Sequence, residues 1–244
     1  MNLLENFIKS IRELFYPAVC LVCRAHLLEL TEMHLCENCL ADFRFIRPPL
    51  CTCCGDKFSS ETGADHLCAT CLTTPYFFSK ARALLAYNDN AAHLIHSFKY
   101  GRKTAALSTF KAFWEKSGLQ PEFQQADLIL PVPLHLERLR WRGYNQALLL
   151  AELFFQEQRE KINPFLLTRV KNTPPQTGLK GAARRKNILG AFAVKHPEQI
   201  VARKILLVDD VYTTGSTLNE AARTLMNMGA AEVQALTLAR VQYH

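Results

Sequence analysis

Ile205–Leu206–Leu207–Val208–Asp209–Asp210–Val211–Tyr212–Thr213–Thr214–Gly215–Ser216–Thr217 decides how this chain is read. The apolar run predicts a strand over Lys204–Val208, buried on both faces as in a parallel sheet. Two carboxylates follow at its carboxyl end, then a short hydroxyl-rich loop, then a helix predicted over Ser216–Met228. A loop entering a helix aims backbone N–H groups at one spot, where the helix dipole also favours an anion. A phosphate fits that spot, and the paired acids stand beside it to grip sugar hydroxyls.

Outward from this stretch, strands and helices alternate from about Pro75. Strands are predicted at Ala81–Tyr87, Leu128–Val132 and Val233–Leu238, with weaker ones at Pro164–Thr168 and Ala191–Lys195. Helices are predicted at Ala91–Tyr100, at Lys103–Ser117 after a break at Gly101, and from near Asn145 to Glu160. The alternation predicts an α/β fold, a parallel sheet with helices on both faces. Such sheets bind ligands at the carboxyl ends of their strands.

Two basic segments belong to that end. Pro131–Val132–Pro133–Leu134–His135 closes one strand, and Arg138, Arg140 and Arg142 follow within five residues. Guanidinium forks suit pyrophosphate oxygens; a solvated basic loop is the plainer alternative. The segment from Arg169 to Asn187 holds six basic residues, Arg184 and Arg185 among them, and no acid. Its length, prolines and glycines predict a mobile loop, either a lid over a pyrophosphate or a track for a nucleic-acid backbone. Phe98–Lys99–Tyr100 either reaches the same site or simply ends a helix. His93 and His96, three apart, read as a core or surface pair before they read as metal ligands. No glycine-rich loop ends in Gly–Lys–Ser/Thr, so P-loop ATP hydrolysis is not indicated.

Ahead of this domain, eight of nine cysteines form four pairs: Cys20/Cys23, Cys36/Cys39, Cys51/Cys54 and Cys68/Cys71. Two residues separate the partners in each pair, so both sulfurs of a knuckle can face one ion. Four thiolates at such spacing suit structural Zn²⁺, and a reducing compartment makes disulfides the weaker explanation. The pairs combine either sequentially, first with second and third with fourth, or cross-braced; the sequential version is preferred. Cys53 is spare, and His34 and His66 are substitute ligands that the cysteine count does not need. Some 50 residues with few large apolar side chains need metal to supply folding energy.

Length and composition agree with this division. The 244 residues suffice for one α/β domain and a small module, and 49% hydrophobic content supports a core. The chain divides into an amphipathic helix at 1–18, a zinc module at 19–74 and the larger domain at 75–244. The helix places Leu3, Leu4, Phe7, Ile8, Ile11, Leu14 and Phe15 on one face. Net charge is +7, and residues 1–80 carry 7 basic against 9 acidic side chains, so the whole excess lies beyond them. That excess fits either a polyanion or a polyphosphate substrate. No apolar run is long enough to span a bilayer, and the start lacks the pattern of a secretory signal. The expected location is the cytoplasm.

The stretch ending at Thr217 is similar to the ribose-5-phosphate site of the type I phosphoribosyltransferases, which bind phosphoribosyl pyrophosphate (PRPP). Together with the paired cysteines, Phe98–Lys99–Tyr100, Pro131–Val132–Pro133–Leu134, Arg142–Gly143–Tyr144–Asn145–Gln146, Thr173 with Gln176, Leu179, Arg184 and Asn187, it resembles the ComF/GntX family of phosphoribosyltransferase-like competence proteins. The resemblance covers almost the whole chain after the first helix. Tyr144 stands where phenylalanine is more usual, and Cys53 is extra; neither departure touches the phosphate chemistry. Membership implies a cytoplasmic role in natural transformation, in the handling of imported single-stranded DNA, and implies PRPP binding with an acceptor left open.

Three functions are consistent with these residues. As a transferase, the protein would bind Mg²⁺–PRPP with the 5-phosphate on Thr213, Thr214, Gly215, Ser216 and Thr217 and the ribose on Asp209 and Asp210. Pyrophosphate would meet Pro131, Val132, Arg138, Arg142 and Arg184 or Arg185. As a binding module, the same site would sense PRPP or hold a DNA phosphate while the basic loops carry single-stranded DNA. As a zinc-dependent interaction protein, it would scaffold other DNA-uptake proteins. The oligomeric state stays open, with a dimer among the options.

Overall fold

The computed structural model describes residues 18–27, 33–60, 62–100, 105–173 and 187–242. In chain order its elements begin with α1 (Glu37–Ala41) and α2 (Ala69–Thr73), both in the cysteine module. Then come β1 (Lys80–Ala86), α3 (Asp89–Tyr100), α4 (Ala106–Ser117), β2 (Leu128–Pro131), α5 (Leu136–Arg142) and α6 (Gln146–Phe154). β3 (Leu167–Arg169), β4 (Phe192–Val194), β5 (Lys204–Tyr212), α7 (Ser216–Asn227) and β6 (Glu232–Arg240) complete the order. The amphipathic helix expected at 1–18 falls almost wholly outside the described residues, as do Arg184, Arg185 and the rest of 174–186.

Four parallel strands form the sheet, in the order β1-β6-β5-β2. The central strands are buried almost throughout because both faces are covered. On one face Phe98, Phe110, Phe113 and Leu150 from α3, α4 and α6 pack on Leu206, Val208 and Leu236. On the other, Leu218, Ala222 and Leu225 from α7 pack on Ile205, Leu207 and Ala235. The expected parallel sheet with helices on both faces is therefore present.

Four local differences from the sequence reading have physical reasons. The two weak strands pair with each other, antiparallel, and stay out of the main sheet. Each is only three residues long, and Leu167 pairs with Val194 and Arg169 with Phe192 in a ladder that is complete without the main sheet. The segment after Pro133 is a helix, α5. The His135 ring accepts from the Glu137 amide, Arg140 and Arg142 lie in the last turn, and Gly143 stops it at φ 86°. The helix expected to reach Glu160 ends at Phe154 and continues as a 3-10 turn over Gln156–Lys161. Phe154 and Phe155 are both buried against Trp114, and Phe155 leaves the helical conformation at φ −118° and ψ 46°. Finally, β5 continues through the acids to Tyr212, pairing there with Arg240 of β6.

The cysteine module is fastened to the sheet. Residues 44–46 run antiparallel along the free edge of β1: the Ile46 amide donates to Leu84 and the Ala86 amide donates to Arg44. Arg47 donates to the carbonyls of Lys116 and Ser117 at the end of α4. Leu21, Leu35 and Phe43 join the α3–α4 cluster, while Cys51 and Cys54 join the α7 cluster.

Candidate functional site

Because β5 runs on to Tyr212, Asp209 and Asp210 lie on opposite faces of one strand. Asp209 shares the face of Ile205 and Leu207, and Asp210 that of Leu206 and Val208. The chain leaves the strand through Thr213 and Thr214 and enters α7 at Gly215, whose φ of 73° is the left-handed conformation glycine favours. The Thr214 hydroxyl lies 2.8 Å from that of Ser216 and accepts from the Ser216 amide. The first turn of α7 carries no acid, so no side chain of the helix itself opposes an anion at its amino end.

Asp210 is buried and held from two helices. Lys99, at the end of α3, places its Nζ 2.9 Å from Asp210 Oδ2. Gln146, at the start of α6, donates to the same oxygen at 2.9 Å. Each neighbour of Gln146 has a part in this placement. Gly143 ends α5; Tyr144 donates its hydroxyl to the Phe98 carbonyl beside Lys99; Asn145 caps α6 by accepting from Ala147. The Asn145 amide also donates 3.1 Å to the carbonyl of Val132, whose own amide is bonded to Val208. The strand ends at 131–132 and 208–210 are thus tied to two helices through the four-residue run from Gly143 to Gln146. Pro131 and Val132 are themselves buried, beside β5 and at the floor of the site.

Cations gather around the pair. Arg138 donates to the Thr173 carbonyl, and Arg169 to the Thr173 hydroxyl, so β3 and the residues up to Thr173 are anchored to α5. Glu137 reinforces the anchor by accepting from Asn172. Arg169 acts electrostatically on Asp209, and Arg142 on Lys99. Lys99 and Arg169 act on the two carboxylates, with Arg142 near Lys99 and Arg138 near Arg169, an excess of positive charge suited to a polyphosphate. Burial raises the Asp209 pKa to about 7, and the charge of Asp210 adds to it, against the pull of the Asp210 amide, Lys99 and Arg169. Burial works against the Lys99 ammonium, yet the two carboxylates more than offset it and hold its pKa above the ordinary lysine value.

The sequence reading named Arg138 and Arg142 for pyrophosphate; Arg138 is here occupied with Thr173. It did not name Gln146 or Arg169 as site residues, and it left the run holding Lys99 between reaching the site and ending a helix. The signal available for Lys99 and Gln146 was their place in short runs that end or begin helices. Arg169 opens the basic segment that runs to Asn187, where its own part was not told apart from that of the other five basic residues.

The eight paired cysteines form two groups, Cys20/Cys23/Cys36/Cys39 and Cys51/Cys54/Cys68/Cys71, which is the sequential arrangement. Within each group all sulfurs lie within 4.8 Å of one another. Cys23–Cys36 and Cys51–Cys71 are 3.6 Å apart and Cys54–Cys68 3.8 Å. A tetrahedron with Zn–S bonds of about 2.3 Å has edges of about 3.8 Å, so the cages fit zinc. Burial opposes ionisation of Cys20 and Cys51. Amides of Cys36, Cys23 and Val22 nevertheless bring Cys20 down to about 6, and those of Cys68, Cys54 and Cys53 bring Cys51 to about 7. Burial pushes Cys54 up to about 12, so the full thiolate set needs the charge of a metal. Cys53 lies outside both groups, its thiol towards the Phe78 carbonyl. His66 stacks on Phe58, and His93 and His96 are exposed on α3.

Comparison with known proteins agrees with both halves. Residues 11–72 match the double zinc ribbon domain and residues 165–242 the phosphoribosyl transferase domain. The chain is 32% identical over 232 residues to Competence protein F of Haemophilus influenzae, covering 93% of this chain and 98% of that protein. It is 31% identical to the DNA utilization protein YhgH of Escherichia coli K12, over 92% of this chain and 97% of the relative. It is also 28% identical to Competence protein ComFC of Bacillus subtilis, over 92% and 96%. No helix among the described residues is long and apolar enough to cross a membrane. A double zinc ribbon joined to a phosphoribosyltransferase domain, with relatives matched along nearly their whole length, places this chain in the ComF/YhgH family.

Proposed function

We propose that the site at the carboxyl ends of β2 and β5 binds Mg²⁺–PRPP and that the protein serves in the use of imported single-stranded DNA. The observation that carries this reading is the Asp209–Asp210 pair, set between an acid-free helix amino end and four cationic side chains. Amides and hydroxyls of 213–217 would take the 5-phosphate, and Asp209 and Asp210 the ribose hydroxyls. Arg142 and Arg169 would face the pyrophosphate, joined by Arg184 or Arg185. Mg²⁺, when bound with the substrate, would neutralise charge on the leaving pyrophosphate. In a transfer, the C1–oxygen bond breaks with its electrons leaving on pyrophosphate, and the acceptor bonds to C1. The carboxylates offset the positive charge that develops on the ribose. The competence and DNA-utilization names of the relatives support the cellular role. Calorimetry with Mg²⁺–PRPP tests the site: the wild type binds, and the double variant Asp209→Asn/Asp210→Asn loses about a hundredfold in affinity. Equal affinities would end this reading.

A second reading, direct single-stranded DNA binding, is favoured by one surface. α5 turns Arg138 and Arg142 inward and Leu136, Glu137, Arg140 and Trp141 outward, and Trp141 is 69% exposed. An exposed indole beside a guanidinium is a stacking platform for bases with a phosphate contact at hand. Trp141→Ala is expected to weaken binding to an oligothymidine about tenfold, and Arg140→Gln to flatten its salt dependence. Fluorescence anisotropy across a salt series checks both, and unchanged curves would remove this surface from consideration.

A further inference from the structure

The second cysteine group and the phosphate loop are joined by two side chains that the site does not otherwise use. Arg240, at the end of β6, is buried and reaches into the second ribbon. Its Nη1 donates 2.7 Å to the Cys54 carbonyl, its Nη2 lies 3.6 Å from the Cys54 sulfur, and its Nε donates 3.1 Å to Asp56. The guanidinium lies 4.1 Å from the centroid of the Tyr212 ring. Tyr212 is the last residue of β5, buried, and its hydroxyl fills the space above Gly215: a Cβ added at Gly215 would stand 2.3 Å from it. Cys54, Arg240, Tyr212 and Gly215 thus form one line of contacts from a metal cage to the bend that opens the phosphate loop.

We propose that Arg240 and Tyr212 are positioning residues that make the phosphate loop depend on the metal of the second ribbon. A buried guanidinium needs fixed acceptors. Zinc fixes Cys54, and Cys54 with Asp56 fixes Arg240. Arg240 in turn backs the Tyr212 ring, and Tyr212 limits where Gly215 can go. Loss of that metal frees the Cys54 turn, so the loop loses its backing and its affinity for a phosphorylated pentose. Among the described residues the first ribbon has no such path to the loop. Cys20 and Cys39 pack with α3 and α4 on the other face of the sheet, and the Asn90 side chain on α3 donates to Cys39. Linkage is reciprocal: if the second metal strengthens ligand binding, the ligand must hold the second metal.

The proposal rests on the pentose-phosphate reading of the loop, and its test separates the two. The full chain carrying two zinc ions releases them to a chromophoric chelator, with and without ribose 5-phosphate, whose binding calorimetry measures in parallel. Hydrogen exchange at the amides of 213–218 is followed without ligand in wild type, Arg240→Gln and Tyr212→Leu. Ribose 5-phosphate is expected to slow release of one zinc about tenfold and leave the other unchanged, and Tyr212→Leu to abolish that protection. The loop amides are expected to exchange about tenfold faster in both variants. A wild type that binds ribose 5-phosphate yet releases both metals at unaltered rates would overturn the proposal, whether or not the variants fold. So would loop exchange that ignores both substitutions while two zinc ions stay bound. A wild type that binds no ribose 5-phosphate, with loop amides still responsive to Arg240→Gln, sinks the pentose reading and leaves the contact line standing.

Discussion

Asp209 is the residue at which fold and function pull against each other. An unfolded aspartate ionises near pH 3.9, roughly. In the fold, burial first and then the Asp210 charge keep the Asp209 proton on until about pH 7. Between those values the folded state binds more protons than the unfolded one, so stability falls as pH rises through that window. Below it the penalty is absent, and above it the penalty is complete. Asp209→Asn removes the titration and is expected to stabilise the empty protein by about 2 kcal/mol at pH 8 and by little near pH 4. Urea unfolding at the two pH values measures the difference, and an equal change at both would refute the assignment. Affinity for Mg²⁺–PRPP should move the other way, rising from pH 6 to pH 8 as the carboxylate ionises, and should be lost in the same variant. Lys99 needs no such window, because its charge is held on by Asp210 throughout.

At the scale of elements, α6 shows how a helix start places a functional group. Asn145 does two things with one side chain: its oxygen caps the helix and its amide holds the Val132 carbonyl. Asn145→Asp keeps the cap and loses the donation, whereas Asn145→Ala loses both. The alanine variant is expected to cost about 2 kcal/mol of stability and the aspartate variant less, yet both should weaken PRPP binding because Gln146 shifts from Asp210. Thermal unfolding and calorimetry on the two variants separate cap from placement; a fully active Asn145→Asp protein would show that the strand contact is idle. The buried strands were legible because an apolar run such as Ile205–Val208 has few other uses. The two cysteine cages were legible because spacing alone puts four sulfurs together. What escaped was set by partners distant in sequence. Arg169 gained its importance from Arg138 and Asp209, and Gln146 from Asp210. The end of α6 was misjudged because Trp114 draws in both Phe154 and Phe155, which no local pattern reveals. Arg184 and Arg185 lie outside the described residues, so their part in the site remains a proposal.

For the molecule as a whole, the ribbons are better understood as part of the enzyme-like domain than as an appendage to it. β1 is an edge strand, and the chain between the two cysteine groups covers that edge through bonds from Ile46 to Leu84 and from Ala86 to Arg44. An uncovered edge of that kind invites pairing with other chains. The same module lays Phe43 and Phe45 against Phe113 and adds Leu21 and Leu35 to the cluster under α3 and α4. On the opposite face, Arg82 of β1 donates to the carbonyls of Cys51 and Thr52, and Gly55 closes against Ala81 so tightly that a Cβ there would stand 2.4 Å from its carbonyl oxygen. Removing residues 1–74 would therefore expose a bare strand edge, strip aromatic cover from one cluster, and leave two buried arginines, Arg82 and Arg240, short of their acceptors. Each large core truncation of this kind costs several kcal/mol, roughly 3–5 for a single aromatic, against a total stability of about 5–15 kcal/mol. The shortened chain is expected to aggregate, and zinc removal from the intact protein to lower its melting temperature and raise light scattering together. Size-exclusion chromatography and thermal unfolding of the shortened chain check this; a monodisperse product with a cooperative transition would mean that the larger domain stands alone and that the ribbons were merely docked on it.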